Sequence, residues 1–247
     1  MSSDSGIEKL FFELASGSRL SMLRELRCEN LKMQEIARRL DVTPTEAFRQ
    51  LERLGAASLV HRQPDGAFAL AEFGKIVLQI SESLDFIFRY KSYFSTHDLT
   101  QFPSQFVSRI GELSKAVLLM DTIESLNKGS KWFTEATQYI WAIGEGTIPE
   151  YMIPIMNRKV EAGIQIKMLI PMQNVAAAIP PVAQRNVELR GLSDLPGVVA
   201  LTEKYAGVCL RQIDGKMDYS GFYGTNSDFH NFVKDLFLYY WEKGKRA

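Results

Sequence analysis

Residues 32–55 read KMQEIARRLDVTPTEAFRQLERLG, and the fold is decided in the middle of that stretch. Lys32–Leu40 spaces Met33, Ile36, Ala37 and Leu40 along one helical face. Asp41-Val42-Thr43 then interrupts the pattern. Thr43 stands where a helix N-cap belongs, Pro44 occupies the first helical position and Glu46 follows three residues on, so a capping box and an N1 proline coincide. A second helix is expected from Pro44 to about Gly55, with Ala47, Leu51 and Leu54 as its buried stripe. Its opposite face centres on Thr45, Arg49 and Arg53, flanked by Phe48 and Gln50.

Working outward, Ile7–Leu14 puts Ile7, Leu10, Phe11 and Leu14 on one face. Ser18 reads as the cap of a further helix carrying Leu20, Leu23 and Leu26. Downstream, Ser58–Arg62 and Ala67–Leu70 flank Pro64-Asp65-Gly66, where proline presets a turn and glycine tolerates positive φ. Helices, a tight turn before the last of them, then a β-hairpin is the order of a winged helix-turn-helix. A helix of that kind fits the DNA major groove, with its N-terminal residues meeting base edges. On that reading Arg49 suits guanine and Gln50 adenine, while Thr43 and Thr45 suit phosphate or a thymine methyl. Arg38 and Arg39 reach the backbone, Arg53 shares the reading face, and His61 and Arg62 lie on the wing. The bland alternative is a solvated charged face, since acidic residues in this segment nearly balance the basic ones.

From Phe73 onward, Phe73, Val77, Ile80, Leu84 and Ile87 are spaced as a heptad seam, which serves either a dimer or packing on its own domain. Ser95–Pro103 breaks the helix. Beyond it, Ala116–Met120, Tyr139–Ile143, Ile164–Ile170, Val187–Leu189, Val198–Leu201 and Gly207–Ile213 read as strands, with helices over Pro149–Ala162 and Ser227–Lys243. The fold class is therefore α+β. Residues 1–72 form a winged helix-turn-helix domain, 73–95 a linking or dimerisation helix, and 96–247 an α/β regulatory domain. Ligands in α/β layers sit beyond the carboxyl ends of strands. Trp141, Glu145 (within Gly144-Glu145-Gly146), Met172 and Thr202 are accordingly the candidate effector-binding residues, with core packing as the default for the aromatic residues and methionines.

Composition excludes several classes. The 247 residues carry 29 Lys+Arg and 29 Asp+Glu, so there is no basic coat, and a nucleic-acid role needs a local basic face. Cys28 and Cys209 are far apart, and His61, His97 and His230 are scattered, so no zinc site or disulfide framework is expected. Reduced thiols, no signal peptide and no membrane span point to the cytoplasm. There is no GxSxG, GxGxxG or GxxxxGK[ST] motif, and Asp214 and Asp218 read as loop caps. No catalytic residues, cofactor or enzymatic activity are expected.

The stretch GSRLSMLRELRCENLKMQEIARRLDVTPTEAFRQLERLGAASLVHRQPDGAFALAEFGKIV resembles archaeal winged-helix regulators of the broad ArsR-like group. FSTHDLTQFPSQFVSRIGEL and LFLYYWEKGK resemble the regulatory domain of archaeal methanogenesis-type transcription regulators, so the likeness runs from about Ser18 to Lys243, loosely between Ile148 and Gln212. It implies a homodimeric DNA-binding transcription regulator. Its second half would resemble the phospholipase-D-like sensor fold of TrmB-type regulators and serve as a sensor of a small-molecule effector or as a dimerisation unit. Phospholipase-D chemistry uses a histidine with lysine two residues later. His61 is followed by Arg62-Gln63, His97 by Asp98-Leu99 and His230 by Asn231-Phe232, so the resemblance implies a catalytically silent version. A protein–protein adaptor and a phospholipase-D-like hydrolase are the alternatives.

Overall fold

The computed structural model describes residues 6–145, 149–178 and 186–246; Gly146, expected to close the turn after Tyr139–Ile143, lies outside them. The chain divides into two compact units, Met1–Asp85 and Phe86–Ala247.

The first unit contains α1 (Ile7–Leu14), α2 (Gly17–Cys28), α3 (Met33–Arg39), α4 (Pro44–Ala56), β1 (Val60–Arg62) and β2 (Phe68–Leu70), with most of α5 (Glu72–Arg89). Ser16, not Ser18, caps α2: its side chain accepts from the Arg19 amide, because the helix begins two residues earlier than expected, at Gly17. Strands β1 and β2 pair antiparallel with His61 opposite Ala69, and Gly66 turns the hairpin at φ +86°. Leu31 extends this pairing by exchanging two backbone hydrogen bonds with Phe68. Met22, Leu23, Leu26, Ile36, Leu51, Leu54, Leu59 and Val77 form the core beneath the hairpin.

The heptad reading of α5 needs correction. Val77 is buried in the first unit's core, and Ile87 packs on the second unit's core. Phe73, Ile80 and Leu84 are exposed, and Ile76, which the heptad omits, is exposed with them. The outward stripe runs Phe73, Ile76, Ile80, Leu84. It departs from the heptad because Gly74 seats the start of α5 against the Leu59 carbonyl and turns Val77 inward.

The second unit adds α6 (Lys91–Phe94), α7 (Ser104–Val107), β3 (Val117–Leu119), α8 (Thr122–Glu135), β4 (Tyr139–Ile143), α9 (Ile153–Glu161), β5 (Gln165–Pro171) and α10 (Val175–Ala178). It continues with β6 (Val187–Leu192), β7 (Gly197–Thr202), β8 (Ala206–Leu210), β9 (Gly221–Gly224), α11 (Ser227–Lys243) and β10 (Lys245–Arg246). The sheet order is β10-β6-β5-β4-β7-β8-β9-β3; β6, β5 and β4 are parallel and the other pairings antiparallel. Alternation along each strand sends residues to opposite faces. Ile143, Leu169, Val199 and Leu201 join the core under α11, which presents Phe229, Phe232, Val233, Leu236, Phe237 and Trp241. Ile140 and Ile166 join Phe133 of α8 and Met156 of α9 on the other face. No helix among the described residues is long and apolar enough to cross a membrane.

Candidate functional site

The start of α4 is built as its sequence dictates. The Thr43 hydroxyl accepts from the Glu46 amide at 3.2 Å, with Pro44 next. The second half of the expected capping box is absent, because the Glu46 carboxylate accepts from Arg49 and Gln50 instead of reaching back to Thr43. The Gln50 amide, more than the Arg49 charge, holds the Glu46 carboxyl below the ordinary carboxylate range. Thr45, Phe48 and Arg49, spaced three and four apart, share one exposed face; the Arg49 side chain is 69% exposed.

Three of the expected DNA-reading side chains are already occupied. Gln50 is only 7% exposed and cannot reach a base. Its Oε1 accepts from Arg19 Nη1 at 2.9 Å. Arg19 is itself buried, donating through Nε to the Glu13 carbonyl and through Nη2 to the Phe12 carbonyl, both at 2.7 Å. Arg53 forks onto the Glu13 carboxylate at 2.7 and 3.2 Å, with its guanidinium 5.1 Å from the Phe12 ring. That fork is the main reason the Glu13 carboxyl sits below its usual range. Arg39 pairs with Glu25 at 3.0 Å and Glu29 at 2.7 Å. Arg38 and Arg62 are exposed and form no ion pair among the described residues, while exposed His61 contacts Gln63. A surface of this kind offers guanidinium donors at Arg38, Arg49 and Arg62 and hydroxyls at Thr43 and Thr45 to an anionic partner.

In the second unit the four candidate effector residues do not converge. Trp141 faces α11, stacked on Phe237 at 5.3 Å, with Lys167 5.0 Å from its ring. Thr202 lies at the other end of the sheet from Glu145, because β7 runs antiparallel to β4 and pairs Thr202 with Ile140. Its hydroxyl accepts from the Lys204 and Tyr205 amides of the following turn. Met172 packs beside Gly191 on β6. Glu145 alone of the four lines a cavity of about 160 Å³ walled by Phe133, Met152, Met156 and Met168.

One cluster escaped the sequence reading, which had His97 and Asp218 as separate caps. His97 is 4% exposed and stacks on Tyr93 at 3.9 Å. Its Nε2 lies 3.0 Å from Ser220 Oγ and 3.3 Å from the Asp218 carboxylate. Burial pushes the Asp218 carboxyl up, but hydrogen bonds from Ser220, Gln212 and His97 outweigh it and hold the group low. Separations of 121 and 123 residues leave no local signal for this clasp. Nearby, burial drives the Cys209 thiol up to about 12, which removes its nucleophilic form at neutral pH.

No family model matches the chain, and no curated protein matches it. Among solved structures, TrmBL2, an archaeal chromatin protein described as showing a novel mode of DNA binding, is 15% identical over 100% of both chains at TM-score 0.44. Nuc from Salmonella typhimurium, a phospholipase D family member, is 13% identical at TM-score 0.37, covering 49% of this chain and 90% of its own. The S-adenosylmethionine-dependent methyltransferase SibL is 14% identical at TM-score 0.30, covering 77% and 66%. Three further methyltransferases stand among the structural neighbours at TM-scores of 0.29, 0.24 and 0.26; against these neighbours the expectation that this chain is not an enzyme is withdrawn. Shared folds do not fix function, so the functional reading stands on this chain's own residues.

Proposed function

We propose that the chain is a cytoplasmic, sequence-specific DNA-binding transcription regulator that acts as a homodimer. Residues 1–72 serve as a winged helix-turn-helix of the ArsR-like kind, 73–95 as the dimerisation helix, and 96–247 as an effector-responsive unit resembling the phospholipase-D-like fold. The observation that carries this is the outward face of α4, where Thr45, Phe48 and Arg49 stand exposed just after a capped, proline-started N-terminus. Residues near the start of such a helix are the ones that meet base edges. The Arg49–Glu46 pair is exposed and solvent-screened, so guanine O6 and N7 can compete for the guanidinium. Exposed Phe73, Ile80 and Leu84 offer the apolar area for pairing two copies.

Selection of bound duplexes from a random library, followed by anisotropy titration of the enriched sequence, tests the proposal. Arg49→Ala should cost about 1–3 kcal/mol with relaxed preference at one base pair. No enrichment over input, or a variant with unaltered affinity and preference, overturns it. One observation favours a protein–protein adaptor instead: Arg39 and Arg53 spend their charge on internal carboxylates in a chain of zero net charge. Duplex binding with no salt dependence would favour that reading.

A further inference from the structure

We propose that the cavity between α8, α9 and the sheet binds a compact, uncharged, largely apolar molecule carrying one hydrogen-bond donor, of the size of a phenol or a short branched alcohol. The proposal rests on the reading of the second unit as effector-responsive and names the chemistry that the unit recognises.

The space exists because two central strands carry small residues where bulky ones would fill it. Ala142 of β4 and Ala200 of β7 are directly opposed in the sheet, and both line the cavity. Phe133, Met152, Met156 and Met168 complete the walls. Methionine is unbranched and polarisable, so three thioethers beside an aromatic ring adapt to a flat or branched apolar guest. The volume of about 160 Å³ sets the size. An apolar cavity of about 150 Å³ accepts benzene, whereas sites for drug-sized ligands begin near 300 Å³.

The polar end sets the head group. Glu145 lines the cavity with its side chain about one-third exposed, and Arg211 Nη2, 2.8 Å from Oε1, balances its charge. A neutral donor can meet the exposed part of this side chain without adding net charge. Tyr219 stands beside it in the left-handed region at φ 59°, an unusual conformation for a bulky residue. Its carbonyl is fixed there by the Tyr223 hydroxyl at 3.1 Å and the Cys209 thiol at 3.4 Å. Strained residues of this kind concentrate at ligand sites. Among the described residues of the lining, Glu145 and Tyr219 supply the polar side chains, which favours a guest with one polar group over a sugar.

The test uses the full chain with methyl-labelled methionine, titrated separately with phenol, toluene and glucose in the absence of DNA. Phenol should move the Met152, Met156 and Met168 methyl signals and leave those of Met22 and Met33 in place. Toluene should bind about five- to ten-fold more weakly, and Glu145→Ala should erase that preference. Ala200→Leu should abolish both titrations. Ala142→Val, a smaller intrusion, should do the same to a lesser degree if Ala200→Leu fails to fold. Still cavity methyls with phenol and toluene, a stronger response to glucose, or phenol shifts untouched by both filling variants would overturn the proposal. A protein that passes here but enriches no duplex keeps the cavity and loses the regulator reading; the reverse result removes the cavity alone.

Discussion

Replacing Arg19 by methionine tests the idea that α4 is positioned by a buried guanidinium more than by its own helix propensity. Arg19 makes three hydrogen bonds of 2.7–2.9 Å, to the Phe12 and Glu13 carbonyls and to Gln50 Oε1, and its Nε lies 3.0 Å from the Glu13 carboxylate. Methionine retains most of the apolar stem and removes all of these. Breaking a buried pair costs about 3–5 kcal/mol when a charge is orphaned. Glu13 keeps its fork from Arg53, so the lower end applies, and the dominant loss is the buried Gln50 oxygen, about 1–3 kcal/mol. A total near 3 kcal/mol corresponds to a fall in Tm of roughly 12–24 °C for a unit of this size. Trp132, Trp141 and Trp241 all lie in the second unit, so the first unit's transition is followed by far-UV circular dichroism, with tryptophan fluorescence as the internal control. Adding Gln50→Leu to Arg19→Met should cost less than the sum of the two single changes, because the orphaned oxygen goes with its partner. A loss below about 1 kcal/mol, strict additivity, or a shift in the fluorescence transition instead would refute the reasoning.

Other expectations follow from the same geometry. Glu13 has a folded-state pKa depressed mainly by the Arg53 fork, so its contribution is complete above the unfolded carboxylate value and lost as pH falls through the folded one. Melting curves of the parent and Glu13→Gln, taken from neutral pH downward, should therefore converge in the acid range. Gly74→Ala should destabilise by about 1–3 kcal/mol in urea titration, although alanine is the better helix former, because its Cβ would lie 2.0 Å from the Leu59 carbonyl oxygen. Ile80→Glu places a charge on the exposed stripe of α5, where Ile80 is 60% exposed, and should leave stability within about 0.5 kcal/mol while shifting sedimentation towards the monomer. A dimer that survives this change would remove α5 from the interface.

What the sequence makes legible is local. Thr43 and Pro44 announce the start of α4 because a cap acts within one turn, and YIWAI fixes β4 to the residue. The role of Gln50 is not legible: its partner Arg19 is 31 residues away, and helical phase alone puts Gln50 at the rim of the exposed face. The failure at Thr202 has the same origin. A strand's polarity within a sheet is set by its neighbours, and β7 reverses against β4, carrying its carboxyl end away from Glu145. Strands β9 and β10 escape for want of length, four and two residues that become strands through their pairing with β8 and β3 in the first case and β6 in the second. The heptad fails more subtly. Its spacing matches a helix equally well in two phases, and the one realised is chosen by Gly74 against Leu59, a contact between residues that periodicity does not relate.

The fate of the arginines also decides how DNA binding should respond to salt. Each phosphate neutralised by a side chain contributes about −0.9 to the slope of log K against log salt. Arg38, Arg39, Arg49, Arg53 and Arg62 together would give a dimer roughly ten such contacts and a slope near −9. Arg39 and Arg53 are held by two carboxylates and by Glu13, respectively, and releasing Arg53 would leave Glu13 facing Arg19 alone. Arg38 and Arg62 form no ion pair among the described residues, and Arg49 has its exposed partner Glu46 to leave. Roughly four to six contacts per dimer therefore remain, and the slope should fall near −4 to −5. Glu13→Gln frees Arg53 and should steepen it by up to about two units, one per protomer. A parent slope near −9 would mean that the clamp on α4 opens when DNA binds. A slope near zero would mean that the exposed face of α4 meets something other than phosphate.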